Sequence, residues 1–302
     1  MRHYRYQILN VFTQDDFSGN PLCVFESSVD LDQNTMQKLA KQFNLSETVF
    51  LTPFKQEATS SNLQPVTIDY SMRIFTPSYE LPFAGHPVIG SSVVASQLLN
   101  DKDEINFLCQ SGIVTVNYDI DTNYWTLKTP DYPLSYEKLV PFELDNLKKL
   151  FNIDEFAGEP AYVNTGSEQL IVPLASKKLV DEVIININAT DIWPTNKNGR
   201  KTAYLFSLDI DSNGALSIYS RFLFLSATDA AGEDPGTGSA CANLGYWLFK
   251  NGFSSPINAK VTQGVKYGRT CNLSLQVSND KEVQIFVGGS AIKVAEGRYF
   301  FK

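Results

Sequence analysis

The sequence predicts a strand-rich fold built twice, each half holding one apolar helix enclosed by sheet. Three observations lead there. Short branched or aromatic runs separated by turn residues recur along the whole 302-residue chain. Two segments, 87–99 and 240–250, are apolar and rich in small residues all round, the pattern of a helix covered on every side. The approaches to those helices also resemble each other. Arg73-Ile74-Phe75-Thr76-Pro77 leads through Glu80 to Gly85-His86-Pro87, and Arg221-Phe222-Leu223-Phe224 leads through Glu233-Asp234 to Gly238-Ser239-Ala240.

In chain order, the strands are expected at 6–12, 49–51, 66–70, 73–75, 113–118, 124–127, 203–208, 218–222, 271–277, 283–287 and 291–294. Helix 31–43 is amphipathic, with Met36, Leu39 and Phe43 at helical spacing. Helix 144–151 reads as an ordinary surface helix. Upstream of the first approach, Gly19-Asn20-Pro21-Leu22-Cys23-Val24-Phe25 has a counterpart in Gly166-Ser167-Glu168-Gln169-Leu170-Ile171-Val172. A repeat of half the chain far exceeds a solenoid period of ~20–50 residues, so it predicts two similar domains. The proline-rich stretch Thr129-Pro130-Asp131-Tyr132-Pro133 connects them, giving domains 1–130 and 131–302, with the last strand of the chain free to pack back onto the first.

Composition narrows the function. Lysine and arginine number 25 against 33 acids, a formal net charge of −8, and the densest basic runs, Leu147-Lys148-Lys149 and Ser176-Lys177-Lys178, are short. Such a surface repels phosphate backbones, so no nucleic-acid partner is expected. The opening residues alternate apolar with polar, as a strand does, instead of forming an export signal. The most apolar segment, 87–99, falls short of the ~18–20 residues of a membrane span, so no membrane association is expected. Cys23, Cys109, Cys241 and Cys271 form no CxxC pair, and together these features predict a reduced, cytoplasmic protein. With only His3 and His86, a histidine-based zinc site is excluded and no metal is expected. No strand is followed by GxGxxG, and the glycine cluster from Gly232 to Ser239 lacks the lysine of a phosphate loop.

Chemistry-bearing residues gather at the two helix starts. A helix N-terminus offers unpaired N–H groups and partial positive charge, and Gly85 and Gly238 let a ligand approach the backbone. Two such ends would grip a carboxylate; equally, both glycines serve as tight turns into packed helices. His86, beside a positive helix end, is suited to remain neutral and polarise a substrate, or is structural. Asp234 and Ser239 read either as ligands of a substrate or as helix-capping groups. Glu47, among Leu45, Val49 and Phe50, is either a desolvated general base or a solvated loop glutamate.

Five motifs decide among these readings: Asp16-Phe17-Ser18-Gly19-Asn20-Pro21; Asn44-Leu45-Ser46-Glu47-Thr48; Phe75-Thr76-Pro77 with Glu80-Leu81-Pro82-Phe83-Ala84-Gly85-His86-Pro87; Asp234-Pro235-Gly236-Thr237-Gly238-Ser239-Ala240; and Gln263-Gly264 with Gly268-Arg269. In this order, from residue 16 to 269, they resemble the PhzF family, named for phenazine biosynthesis. Gly236 departs from the alanine or other small residue that many members carry. The resemblance implies an α+β, diaminopimelate-epimerase-like fold: two similar domains, each a curled mixed or antiparallel sheet around a central helix, with the active site in the cleft between them. It implies a cofactor-independent isomerase that moves a proton within a small unsaturated or activated carboxylic acid. Glu47 would be the general acid/base, with His86 and Asp234 also catalytic. Asn20, Gly85, Gly238 and Ser239 would bind the substrate carboxylic acid, and a homodimer is implied. Epimerases of this fold place opposed cysteines at the two helix starts. Here those positions correspond to Gly85 and Gly238, which argues against two-thiol racemisation. A non-catalytic small-acid binding protein on the same fold is the alternative, and a hydrolase using Ser239, His86 and Asp234 is a further one that lacks the GxSxG elbow.

Overall fold

The computed structural model describes residues 2–59, 65–130, 132–226 and 230–302, in two compact units, Met1–Asp131 with Val287–Lys302, and Tyr132–Phe286. Asp131 of the expected linker lies outside the described residues. The first run of elements is β1 (Arg2–Val11), β2 (Asn20–Phe25), α1 (Gln33–Phe43), β3 (Glu47–Thr59), β4 (Pro65–Phe75), β5 (Glu80–Leu81), α2 (Gly85–Leu98), β6 (Glu104–Cys109), β7 (Gly112–Asp119) and β8 (Tyr124–Lys128). The second run is β9 (Ser135–Lys138), α3 (Pro141–Phe151), β10 (Ala161–Asn164), β11 (Gln169–Pro173), α4 (Lys177–Glu182), β12 (Thr202–Ile210), β13 (Leu216–Leu225), β14 (Ala231–Asp234), α5 (Gly238–Lys250), β15 (Ile257–Gln263), β16 (Cys271–Asn279) and β17 (Val283–Gly289). β18 (Ala291–Phe301) returns to the first unit and pairs along the whole of β1, from Ile292 opposite Asn10 to Phe301 opposite Arg2.

Register shows that the two units repeat. In the first, Cys23 on β2 sits opposite Thr48 on parallel β3, Thr48 opposite Phe75 on antiparallel β4, and Phe75 opposite Glu80 on β5. In the second, Leu170 on β11 faces Ala203 on parallel β12, Ala203 faces Leu223 on antiparallel β13, and Leu223 faces Glu233 on β14. Each centre strand then takes a parallel neighbour, β6 for β4 and β15 for β13. The matched arginine and glutamate of each approach form the same clamp: Arg73 donates to both Glu80 oxygens at 2.6 Å, and Arg221 to Glu233 at 2.8 to 3.2 Å. Two parallel N–H···O bonds hold β5 and β14 at fixed angles, which aims the loops that follow into the helix starts. Arg221 also donates to the carbonyls of Val180 and Val183 at the end of α4.

α2 is buried from Gly85 through Ser92 and again over Val94–Ser96, and its small residues let strands approach on every side. A methyl at Gly90 would lie 2.5 Å from Leu22 Cδ2 and 2.7 Å from Val11 Cγ2, closer than carbon atoms pack. α5 is enclosed in the same way among β10, β11, β15 and β16. α1, by contrast, covers one face of the first sheet with Met36, Leu39 and Ala40, over Phe25 stacked on Phe50 and Phe75 set edge-on to Phe50.

Two expectations need correction. Residues 66–70 and 73–75 belong to one strand, β4, because Ser71 and Met72 continue the pairing opposite Thr52 and Leu51 instead of turning. The expected strands also leave out β2, β5, β6, β9, β10, β11, β14 and β15, although 257–263 alternates buried with exposed along most of its length. Within the apolar run 222–225, Phe222 and Leu223 are core, while Phe224 and Leu225 are half-buried.

Candidate active site

In the first unit, Glu47 opens β3 and sits opposite Leu22 in the parallel register. That places its carboxylate where α2 begins. Glu47 Oε2 lies 3.2 Å from Nε2 of His86, the second residue of α2, and the Glu47 side chain is only 15% exposed. Asn20, fully buried at the start of β2, brings its Nδ2 to 3.5 Å from His86 Nδ1. Glu47, His86 and Asn20 are thus brought together. Burial lowers the His86 pKa to about 3, against the opposing pull of a hydrogen bond with the Pro21 backbone. The imidazole is therefore neutral at physiological pH. Ala84, in extended conformation, caps α2 without a side-chain bond to the helix, and Pro87 has no N–H, so the first-turn donors are those of Gly85 and His86.

In the second unit, the same position at the start of α5 is occupied by Gly238 and Ser239. Thr237 is the N-cap residue, yet its hydroxyl turns away from the helix and donates to Asp234 Oδ2. Asp234 stands three residues before that N-cap, with Pro235 and Gly236 between, and its carboxylate accepts the Thr237 hydroxyl. Gln263, fully buried, locks this loop: its Nε2 donates to the Asp234 carbonyl at 2.8 Å and to Thr237 Oγ1 at 3.0 Å, while its Oε1 accepts the Thr237 N–H at 3.1 Å. Gly264, at φ +76°, makes the turn after it, and a side chain there would strike the Pro235 and Arg269 carbonyls at 2.5 and 2.4 Å. This accounts for the spacing of the Gln263-Gly264 motif. Ser239 Oγ accepts from Gln169 Nε2 at 2.9 Å, so it too is neither a cap nor a plain packing hydroxyl.

Sequence reasoning assigned no role to Gln169 or Asn243. Both are buried, and Asn243 bonds Thr165, Ser167 and Gln169. The available signal was an amide in the middle of an otherwise apolar helix, where such a group must find partners.

None of the four cysteines occupies a helix start. All are buried; burial pushes the Cys109 thiol up to about 12, and those of Cys23, Cys241 and Cys271 higher still. A thiol so held carries no thiolate near neutral pH, which removes the two-cysteine chemistry of the racemases. Among the described residues, no helix is long and apolar enough to cross a membrane.

Two units of mixed sheet, each wrapped on a buried helix whose N-terminus carries the polar groups, define the diaminopimelate-epimerase-like class. Its solved members include a PhzF-family phenazine biosynthesis protein of Bacillus anthracis, which matches with a TM-score of 0.80 over 100% of both chains at 19% identity. The sequence matches the PhzC-PhzF family of phenazine biosynthesis-like proteins over residues 9–297, and the chain belongs to that family and is an isomerase of the PhzF type. An uncharacterized isomerase of Pasteurella multocida is 35% identical over 98% of this chain and 94% of its own. The trans-2,3-dihydro-3-hydroxyanthranilate isomerase of Pseudomonas chlororaphis is 26% identical, covering 97% of this chain and 98% of its own.

Proposed function

We propose that the protein moves a proton between two carbons of a small unsaturated or activated carboxylic acid, with Glu47 as general acid/base. The observation that carries this reading is the Glu47–His86 pair, 3.2 Å apart beside the start of α2, with the ring held neutral. A neutral imidazole does not tie the carboxylate into a fixed ion pair, so Glu47 keeps basicity for a carbon-bound proton. In the first half-reaction the C–H bond breaks, its proton passes to the Glu47 carboxylate, and the electron pair delocalises into a dienolate. In the second, the same carboxylic acid returns the proton to the far end of that system, leaving Glu47 as it began.

Hydrogen bonds from His86 and Ser239 stabilise the transient anion in this reading, and the Asp234 carboxylate accepts from a donor group of the substrate. Backbone N–H groups at Gly85, His86, Gly238 and Ser239 hold the carboxylate at the two helix N-termini, and Asn20 orients the ring. The pairing of His86 with Glu47 inside the first unit, and the lack of a GxSxG elbow around Ser239, favour it over a serine hydrolase. A homodimer is part of the same reading, supported by the family resemblance and checked by light scattering of the purified protein.

The test uses trans-2,3-dihydro-3-hydroxyanthranilate, the compound in the name of the Pseudomonas relative, with a panel of other small unsaturated acids in D₂O. Glu47→Gln keeps the shape and removes the proton acceptor. It should lower isomer formation by at least ~10²–10⁴-fold with an unchanged circular dichroism spectrum. Near-normal turnover in that variant would remove Glu47 from the mechanism.

A further inference from the structure

The repeat permits a position-by-position comparison, and one difference between its halves lies where the first strand of each approach meets the buried helix. The strand register makes Gln169 the counterpart of Leu22, and the matched helix starts make Asn243 the counterpart of Gly90. In the first unit this pair is apolar and close, with Leu22 packed where a Gly90 side chain would lie. In the second it is a pair of buried amides joined by a hydrogen bond from Asn243 Nδ2 to Gln169 Oε1. The substitution replaces a packing contact with two polar groups in the core, each of which is costly to bury unless bonded. That cost asks for a use.

The direction of the amide chain is fixed by backbone groups that cannot reverse. Asn243 Oδ1 accepts the Thr165 N–H at 2.8 Å, and the Thr165 hydroxyl at the same distance. Its Nδ2 donates to the Ser167 carbonyl at 2.7 Å. Flipping the amide would set donor against donor and acceptor against acceptor, so Asn243 has one orientation. Its remaining Nδ2 proton therefore meets Gln169 as a donor, and Gln169 must turn its oxygen toward it. Gln169 Nε2 is then obliged to face Ser239 Oγ, where it donates at 2.9 Å, with Ser167 Oγ a longer second contact at 3.4 Å. A serine hydroxyl that accepts on its inner side keeps one proton, and that proton is left to donate outward.

We propose that Gln169, oriented by Asn243, is a positioning residue that fixes the Ser239 hydroxyl as an outward hydrogen-bond donor for an anionic oxygen of the substrate. It rests on the reading of Ser239 as a carboxylate ligand given above. Without the relay a serine hydroxyl rotates freely and spends its proton on any acceptor at hand; with it, the donor is ready before the substrate arrives. The first unit needs no such device, because its helix start carries His86 instead.

The test has two arms. Without ligand, NMR of the selectively labelled protein should show nuclear Overhauser contacts from the Gln169 side-chain amide protons to the Ser239 Hβ protons, and from the Asn243 amide protons to Gln169 Hγ. Contacts placing the Gln169 carbonyl against Ser239 would overturn the proposal. With ligand, anthranilate serves as an aromatic carboxylate probe in titrations of the unchanged protein, Ser239→Ala, Gln169→Glu and the double variant. Gln169→Glu is nearly isosteric and still accepts from Asn243, but it presents a second acceptor to Ser239 and captures its proton. Each single variant should bind about tenfold more weakly, as for loss of one hydrogen bond to a charged group, and the double no more weakly than either. Unchanged binding in Gln169→Glu, or additive losses in the double, would overturn the relay. Failure of the unchanged protein to bind anthranilate would count against the carboxylate site itself, a distinct result from normal binding with a silent Gln169→Glu.

Discussion

Neutrality of His86 is open to direct measurement. The folded-state pKa of about 3 lies well below the ordinary 6.5. As pH falls, the unfolded chain takes up the proton first, so the stability tied to the neutral ring is whole above pH 6.5 and lost progressively toward pH 3. The slope in that window is about 1.4 kcal/mol per pH unit, so about 3 kcal/mol should be gone between about pH 8 and about pH 4.5. His86→Asn removes this component and leaves the acid-labile carboxylates elsewhere in place. Urea unfolding of both proteins across that range should show the unchanged protein losing stability more steeply by about that amount. Imidazole Cε1–H resonances give the microscopic answer, since the chain has two histidines and the signal absent from His86→Asn identifies the ring. That signal should keep its neutral-form chemical shift down to about pH 4.5, more than a unit above the folded value. A midpoint near 6 or higher, or parallel stability curves for the two proteins, would refute the neutral ring and return Glu47 to a fixed ion pair.

The duplicated arginine clamps should not be worth the same. Arg221 and Glu233 are 8% and 11% exposed, whereas Arg73 and Glu80 are 34% and 17% exposed. Arg221→Met should therefore cost roughly 3–5 kcal/mol by stranding Glu233 and the carbonyls of α4, and Arg73→Met nearer ~1 kcal/mol, measured by urea denaturation. Equal costs would contradict the burial argument. The four thiols should resist Ellman's reagent in the native protein and react together once urea unfolds it. Rapid native labelling of Cys241 would contradict the burial of that thiol in the first turn of α5.

Much of this architecture was legible because it is stated twice. Arg73 with Glu80 and Arg221 with Glu233 mark the same strand pair, and Gly85 and Gly238 mark the same helix start, so each copy vouches for the other. Glu47, His86 and Asn20 are far apart in sequence, and local pattern alone left Glu47 open as a solvated loop glutamate. What placed them together was the order of motifs, and the pairing of β2 with β3 shows the physical reason. The polar network of the second unit was not legible. Thr237 looks like an ordinary N-cap until Gln263 claims it, and Gln169 opens a short apolar strand buried at every position, which says nothing of its partners. Long-range hydrogen bonds leave no period in a sequence. The strands 66–70 and 73–75 were split for the converse reason: Ser71 suggests a turn locally, while its partner Thr52 keeps it extended.

The pairing of β1 with β18 bears on how the chain acquires its shape during synthesis. Strand β1 leaves the ribosome before the second unit, but its partner follows the whole of that unit, and Arg2 waits for Phe301. Residues 132–286 form a continuous stretch and can complete their core while one edge of β1 is still bare. Bare edges invite pairing with other chains, and the interval here is long because the contact spans nearly the entire sequence. Tyr4, Tyr299 and Phe301 join the core beneath α1 only when that last strand docks, so the aromatic layer of the first unit matures late. A chain released at residue 286 should thus present a finished second unit and an unsealed first one, a state in which a chaperone that covers exposed strand edges would matter most.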